Sequence, residues 1–558
     1  MDKRTLLAIV LSLAVLFLYQ IFFVKPPEQQ LEPVAEEGEM QILKEEVMKP
    51  LSPGEIAKAK KTAVMRNIAE KEITVETSLY TAVFSTKGAG LKSFKLKNYR
   101  EECVNCPNDI FPVVKNFITG SQKDLQPKSG EPVELVSVKE GMPYPLAITF
   151  PDSSINIPED SMFRADVGSL DLTGGNEEKR LVFSGIYDGV IKVEKIYTFN
   201  PDNYAIELDV KMYNLTGALL IQTPRLNWHQ YEDPANSYSR YDKQGPLVSV
   251  ANSIKRQEVK KLDSDKMFGP NVLWGGFETK YFVASFIPEN PSLTSSIMSR
   301  DSRNMVTVGI WGQKEIIPGG QSAVVGYSLY LGPKQYDLLK SLNVGLERAI
   351  DFGIFKWLAV PFLLFLKFLH GFVPNYGLAI ILLTILIKLV FWPLGNMSYK
   401  SMREMQKLQP KINELKQKYK KDQSKIGQET MALYRAHKVN PLSGCLPLLI
   451  QLPVFIGLFN ALLYAIELRH SPFFFWIQDL SAKDPYYITP ILMGISQFIQ
   501  QKMTPTMGDP MMAKMMMFMP VVLTIFFLNF PSGLVIYWLF NNILSIGQQM
   551  YINKKLAN

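Results

Sequence analysis

The residue best placed to do chemistry is a lysine inside an apolar run. Lys388 lies in Ile381-Leu-Leu-Thr-Ile-Leu-Ile-Lys-Leu-Val-Phe-Trp392, where Thr384 is the only other polar residue. A cation at the middle of a bilayer costs at least ~2.5–3.5 kcal/mol, so it belongs against water, a partner or a cavity. The competing reading is a lysine near the inner end of its helix that snorkels to lipid phosphates, since Leu394 is only six residues further on. Thr384, four residues before Lys388, shares its helical face. A second apolar stretch carries Tyr537, Asn541, Ser545 and Gln548 at spacings of four, four and three, which draws one polar stripe. A third carries Gln497, Gln500 and Gln501, and a fourth Gln451. Such side chains glue helices together in lipid, and part of the set serves only that. Four segments contributing polar groups around one cation also fit a hydrated groove, which would ease polar backbone or a short hydrophilic tail into the bilayer.

Bond chemistry is not written here. No Ser/His/Asp grouping and no paired carboxylates occur in the apolar segments. The four histidines (His229, His370, His437, His470) are too scattered for a metal signature, so no metal and no cofactor is expected. No G-x-x-x-x-G-K-[ST] loop is present to couple the chain to ATP.

Two solvents are needed to position these residues. Hydrophobic residues make up 47% of the 558, yet the first half is polar and strand-like while the stretch from about Asp351 to Met550 holds one apolar run after another. Residues 1–24 read as an N-terminal transmembrane anchor: Lys3-Arg4 precede an apolar run from Thr5 to Val24 with no small-x-small cleavage site, which disfavours a signal peptide. Residues 25–70, rich in Glu, Lys, Gln and Pro, read as a flexible linker. Residues 71–335 read as a large all-β sandwich of antiparallel strands, with period-two runs at Ile73–Phe84, Ile191–Phe199, Tyr204–Met212, Met305–Trp311 and Ala323–Leu331. Within it Cys103-Val-Asn-Cys106 could be a redox pair, half a zinc site or a local disulfide; an incidental disulfide in an oxidising compartment is the favoured reading.

Charge sets the orientation. Lys3 and Arg4 keep the N-terminus inside, so the sandwich lies outside, in the periplasm. The basic segment 397–440 must return inside, so only one of the two apolar stretches before it can cross. Residues 336–373, with Pro361, Lys356, Lys367 and His370, suit amphipathic helices in the periplasmic interface; residues 374–396 are the second span. Residues 441–558 supply four more spans, making six, with both termini cytoplasmic. The basic segment reads as a helical hairpin on Met405, Leu408, Ile412, Leu415 and Tyr419, with Pro410 kinking or breaking its first helix. Its cations, Lys407, Lys411, Lys416, Lys420 and Arg435, would touch clients or a ribosome, or serve as a topology signal against anionic lipid. Eight methionines between Met503 and Met519 suit promiscuous apolar contact or ordinary span packing.

Four stretches carry a family resemblance: Met431-Ala-Leu-Tyr-Arg-Ala-His-Lys-Val-Asn-Pro-Leu442, Gly444-Cys-Leu-Pro-Leu-Leu-Ile-Gln-Leu-Pro453, Asp484-Pro-Tyr-Tyr487 with Ile491-Leu-Met-Gly494, and Phe530-Pro-Ser-Gly-Leu-Val-Ile-Tyr537. They resemble the YidC/Oxa/Alb insertase family, densely across Tyr376–Met550. The sandwich and anchor match the Gram-negative type in arrangement, with weaker sequence signal. The resemblance implies a polytopic α-helical fold: a five-helix core with a hydrophilic groove, an N-terminal anchor, a mobile cytoplasmic hairpin, and a periplasmic β-supersandwich that insertion does not require. It implies an inner-membrane insertase and chaperone that works alone or beside the Sec translocon, without ATP hydrolysis. Nascent membrane proteins, the Sec translocon, a ribosome reached through cytoplasmic loops, and the phospholipid bilayer are the expected partners, and DNA is not. The family's groove arginine falls on Lys388 and its neighbouring threonine on Thr384. A lysine keeps the charge and loses the planar fork. The long basic tail of some relatives has no counterpart after Lys555, so ribosome contact would rest on the hairpin.

Two other classes of function fit part of the same residues. A secondary transporter or channel would use Lys388 as an intramembrane site and would want inverted repeats and further charges. A periplasmic carbohydrate receptor or enzyme would want clustered acids in the sandwich. The groove reading expects photo-crosslinkers at Thr384 or Tyr537 to capture clients, with Leu383 as the lipid-facing control.

Overall fold

The structure, a computed structural model, describes residues 69–103, 106, 130–175, 177–234, 244–251, 253–419, 422–437, 439, 446–504 and 510–555. The anchor, nearly all of the linker, Lys420 and Cys445 lie outside the described residues. The chain divides into two compact units. Among the described residues one spans 69–356 with Leu463–His470, and the other Trp357–Leu462 with Ser471 onward.

The first unit is β-rich. Its largest sheet has nine strands, ordered Ser253–Arg256, Gly245–Val250, Val272–Glu278, Phe282–Pro288, Ser322–Pro333, Ala205–Asn214, Ile191–Phe199, Lys179–Tyr187 and Arg164–Ala165. Among the described residues two five-stranded sheets and a two-stranded one accompany it. Alternation decides the faces. In Ala205–Asn214 the even-numbered Ile206, Leu208, Val210 and Met212 are buried and Glu207 and Asp209 exposed. The run Ile73–Phe84, single in the sequence, is two antiparallel strands, Glu72–Glu76 and Tyr80–Ser85. The Thr77 hydroxyl takes the backbone N–H of Leu79 and Tyr80 at 3.1 and 3.0 Å, a local bond that offers the chain a turn in place of the ladder. Aromatic rings fill the sandwich: Phe84 meets Tyr197 with centroids 4.7 Å apart, and Tyr80 stacks on Phe94 at 4.5 Å. Cys103 and Cys106 form a disulfide.

One buried position breaks the pattern. In Ile191–Phe199 every odd residue faces the core, and one of them is Lys195, which is fully buried. Its ammonium donates to the carbonyls of Gly88 (3.2 Å), Ala89 (2.6 Å) and Leu146 (2.6 Å). All three acceptors have positive φ, at +66°, +45° and +66°. The Lys195 amino group therefore clasps two left-handed turns that Ala and Leu otherwise disfavour. Burial pushes this lysine's pKa well below its ordinary value. Lys195→Met is expected to orphan the buried Gly88 and Leu146 carbonyls, leave the Ala89 carbonyl only the Tyr197 hydroxyl at 2.9 Å, and cost on the order of 3 kcal/mol. Urea denaturation followed by tryptophan fluorescence reads this directly, because Trp228 and Trp274 are buried in the same unit.

The second unit is helical. Helix α1 (Tyr336–Ser341) belongs to the β-rich unit; then come α2 (Lys356–Phe372), α3 (Tyr376–Lys407), α4 (Gln409–Lys418), α5 (Gln423–Ala436), α6 (Leu446–Tyr464), α7 (Ile488–Met503), α8 (Pro510–Phe527) and α9 (Ser532–Lys555). Helix α2 contains Pro361 without interruption, buries Ala359, Leu363 and Leu366 on one face, and leaves Trp357, Phe368 and Phe372 exposed. Among the described residues, α3 alone is both long and apolar enough to cross a membrane by length and composition; shorter apolar helices cover Ile450–Tyr464 and Met516–Phe527. Asn375 starts α3, its Oδ1 accepting the Leu378 N–H at 3.1 Å. The helix does not stop at residue 396. Its 32 residues span about 48 Å at 1.5 Å each, so Lys400, Arg403 and Lys407 ride on the same rod as Lys388. It ends at Leu408, and Pro410 sits in the first turn of α4, where its missing N–H costs nothing. Met405, Leu408, Ile412 and Tyr434 form the hairpin's small core, while Leu415 and Tyr419 are only half-buried.

Candidate functional site

Helices α3, α6, α7 and α9 bring most of the polar residues together. Lys388 donates to Ser545 Oγ at 2.7 Å and, among the described residues, is paired with no carboxylate. Ser545 Oγ in turn donates to the Asn541 carbonyl at 2.7 Å, and Gln451 Nε2 reaches Asn541 Oδ1 at 3.4 Å. One connected path thus runs from α3 through α9 to α6. Lys388, Asn541 and Gln451 are half-buried, whereas Ser545 is buried. An ammonium carries three donors, and Ser545 takes one of them.

The α3 end of the path is braced one turn further along. Gln548 Nε2 donates to the Trp392 carbonyl at 3.0 Å and to Asn396 Oδ1 at 2.9 Å. Gly395 allows this approach, since a Cβ there would stand 2.7 Å from Gln548 Nε2. Pro393, inside α3, supplies no N–H to the carbonyl four residues earlier, in the turn just after Lys388. Gln497 accepts from Trp538 Nε1 at 3.1 Å, and Gln501 Nε2 is buried without a hydrogen-bond partner.

Besides Gln497, Gln501 and Gln548, two more of the expected residues make no bond to the path. Thr384 is fully buried, and its hydroxyl donates to the Ile380 carbonyl in its own helix at 2.7 Å. Tyr537 is 2% exposed and stacks on Phe455, with centroids 6.2 Å apart. Leu383 is also buried, so it cannot serve as a lipid-facing control; Leu389 and Val390, at 58% and 74% exposed, can. The reason is the contact face of α3: Ile380, Leu383, Thr384 and Ile387 turn inward against the other helices, and the outward face begins at Leu382 and Leu386.

Sequence reasoning missed the residues that fasten α7 to α9. Asn542 Nδ2 donates to Ser496 Oγ at 3.1 Å, and Gln549 Nε2 to the Met503 carbonyl at 2.7 Å. Each follows a stripe residue directly in sequence, so doubled amides at 541–542 and 548–549 were the available signal.

In the hairpin, Lys407 pairs with Glu404 at 2.9 Å and Lys411 contacts His437 Nε2 at 3.2 Å. Arg435 is exposed and Lys416 half-buried. Arg403 donates to the Asn553 carbonyl at 2.6 Å, which ties the hairpin's base to the end of α9.

A family model described as the 60Kd inner membrane protein matches residues 368–558, and one described as the YidC periplasmic domain matches residues 121–365. A membrane protein insertase YidC of Syntrophus aciditrophicus (strain SB) is 55% identical over 570 residues and covers 100% of both chains. Its counterpart from Pelobacter propionicus (strain DSM 2379 / NBRC 103807 / OttBd1) is 40% identical and covers 99% of each. Among solved structures, an active YidC insertase with its first transmembrane domain resolved is 20% identical, covers 86% of this chain and 92% of its own, and has a TM-score of 0.35. A relative 55% identical from end to end, with family models over both the helical and the β-rich parts, decides the matter: the chain belongs to the YidC family of membrane protein insertases, inner-membrane proteins with a periplasmic domain.

Proposed function

We propose that this insertase works through a polar groove around Lys388, open to water on the cytoplasmic side. The observation that carries the reading is the half-buried ammonium bonded to Ser545 with, among the described residues, no carboxylate beside it. A cation paired with an acid would be spent on structure. One bonded to a single hydroxyl keeps two donors for water, for client carbonyls or for an acidic client side chain. The buried amide of Gln501 supports the same reading, because an unsatisfied donor costs about 1–3 kcal/mol and a polar client group that reaches it recovers part of that. Lowering the barrier needs no bond-making step, so the protein acts without catalytic chemistry and without nucleotide hydrolysis.

Six crossings with both termini inside, the hairpin as the contact for clients or a ribosome, and work beside the Sec translocon complete the reading. The run of cations from Lys400 through Arg435 supports a cytoplasmic hairpin. The domain limits that follow from it are an anchor at 1–24, a linker at 25–70, a sandwich at 71–335, interfacial helices at 336–373, a second span at 374–396, the hairpin at 397–440 and four spans in 441–558.

The test is reconstitution of the purified chain in liposomes with a short single-span client and no other protein. Insertion without nucleotide is expected. Photo-crosslinkers at Asn541 and Gln451, which are half-buried on the path, should capture that client more than one at Val390 does. Capture confined to Val390 would place the client in lipid and remove the groove.

A further inference from the structure

The loop between α6 and α7 has a part that the groove does not use. Phe473 is locked in place: its carbonyl accepts from Asn375 Nδ2 at 3.0 Å, and its N–H donates to the Ile477 carbonyl at 2.9 Å. Its ring lies so close to Gly377 that a Cβ there would stand 2.1 Å from Phe473 Cδ2. The next two residues point outward. Phe474 is 47% and Phe475 84% exposed. Phe475 also has φ of +55°, a left-handed conformation that a bulky side chain rarely adopts, and Gln478 Nε2 holds its carbonyl at 2.7 Å. The backbone is thus bent, and kept bent, in a way that presents two phenylalanines to the surroundings.

The residues that hold the loop belong to the first turn of α3. Asn375 caps that helix and binds Phe473 with the other end of the same amide. Phe372, exposed at the end of α2, lies four residues before Tyr376, where α3 begins. Exposed phenylalanines beside the start of a span can bury their rings at the headgroup/acyl boundary, so this surface continues the boundary that α3 must cross. Lys388 is twelve residues below Tyr376, about 18 Å along the helix, in a hydrocarbon core of about 30 Å.

We propose that Phe474 and Phe475 insert into the outer lipid leaflet and, through the clasp on the first turn of α3, set the depth at which Lys388 is held in the bilayer. The occupant is lipid. The two phenylalanines are positioning residues, since they act on Lys388 through α3. The inference rests on α3 being a span, and it does not depend on the groove carrying clients.

The experiment uses the full chain with Cys103, Cys106 and Cys445 replaced by serine, in vesicles of phosphatidylethanolamine with a minority of phosphatidylglycerol. A nitroxide is placed at Phe475→Cys or, separately, at the lipid-facing Val390→Cys, and its depth is read by power saturation with oxygen against a water-soluble nickel chelate. The label at 475 is expected to be protected from nickel. In the chain labelled at 390, Phe474→Ser/Phe475→Ser should shift the depth by about 3 Å, two residues of helix rise, and Phe474→Leu/Phe475→Leu should restore it. Unchanged tryptophan fluorescence checks the fold of each variant. A label at 475 as open to nickel as one at Met267, an exposed position of the β-rich unit, would overturn the proposal. So would an unchanged depth at 390 in the serine variant. Insertion assays on the same variants report on the groove separately.

Discussion

Lys388→Ala is expected to slow insertion of clients with charged translocated tails by roughly tenfold to a hundredfold, the range set by losing one charge-assisted hydrogen bond of about 1.5–3 kcal/mol. The local fold should survive, because Ser545 keeps its bond to the Asn541 carbonyl and Gln548 keeps both of its bonds to α3. The loss therefore reports on the ammonium and not on the packing. Lys388→Arg should be tolerated, since the charge is kept and its fork adds donors. Clients whose translocated tail is short and neutral should be affected least, as they need no counter-charge on the way through. Initial rates into liposomes, compared across a charged and a neutral client, check all of this. Equal rates for the alanine variant and the parent on the charged client would refute a role for the charge.

The second large effect belongs to the β-rich unit. Glu278 is buried between Lys334 and Arg256, and Arg256 also donates to the Ala349 carbonyl at 2.7 Å. This cluster joins strands Ser253–Arg256 and Val272–Glu278, the end of Ser322–Pro333 and the turn Leu346–Ala349. Burial raises the Glu278 pKa, but Lys334 and Arg256 outweigh it and hold the carboxyl below its usual range. Lys334→Met should cost about 3–5 kcal/mol, the penalty for breaking a buried pair and leaving its charge under-compensated. Glu278→Leu/Lys334→Met should recover much of that, because removing both partners leaves less uncompensated charge. The sign of the pH effect follows from the depressed folded value. The carboxylate's contribution is present above the unfolded pKa and is lost as pH falls through the folded one. Urea midpoints measured from neutral to acidic pH should therefore fall for the parent, and the double variant should lack this group's share of the fall. A Lys334→Met midpoint equal to that of the parent would remove the cluster from the account of stability.

That a β-rich part is followed by a helical one, and the chemical types of the candidate site residues, were legible in the sequence, because both are local properties. Period-two alternation fixed the strand Ile191–Phe199 with both ends correct. An isolated cation among aliphatic residues marked Lys388 as a group that lipid alone cannot hold. Partners were not legible. Nothing near Lys388 in the chain announces Ser545, which lies 157 residues away, and nothing near Lys195 announces the Gly88, Ala89 and Leu146 carbonyls. Periodicity reports which face of an element a residue occupies, and it carries no information about what that face meets. For the same reason the stripe on α9 was read through Asn541 and Gln548, while their neighbours Asn542 and Gln549 fasten α9 to α7. The sequence by itself determined where charge and polarity sit along each element. Only the tertiary structure decided which of those groups are consumed in holding helices together and which remain half-open, because that depends on how distant segments pack and not on the residues beside them.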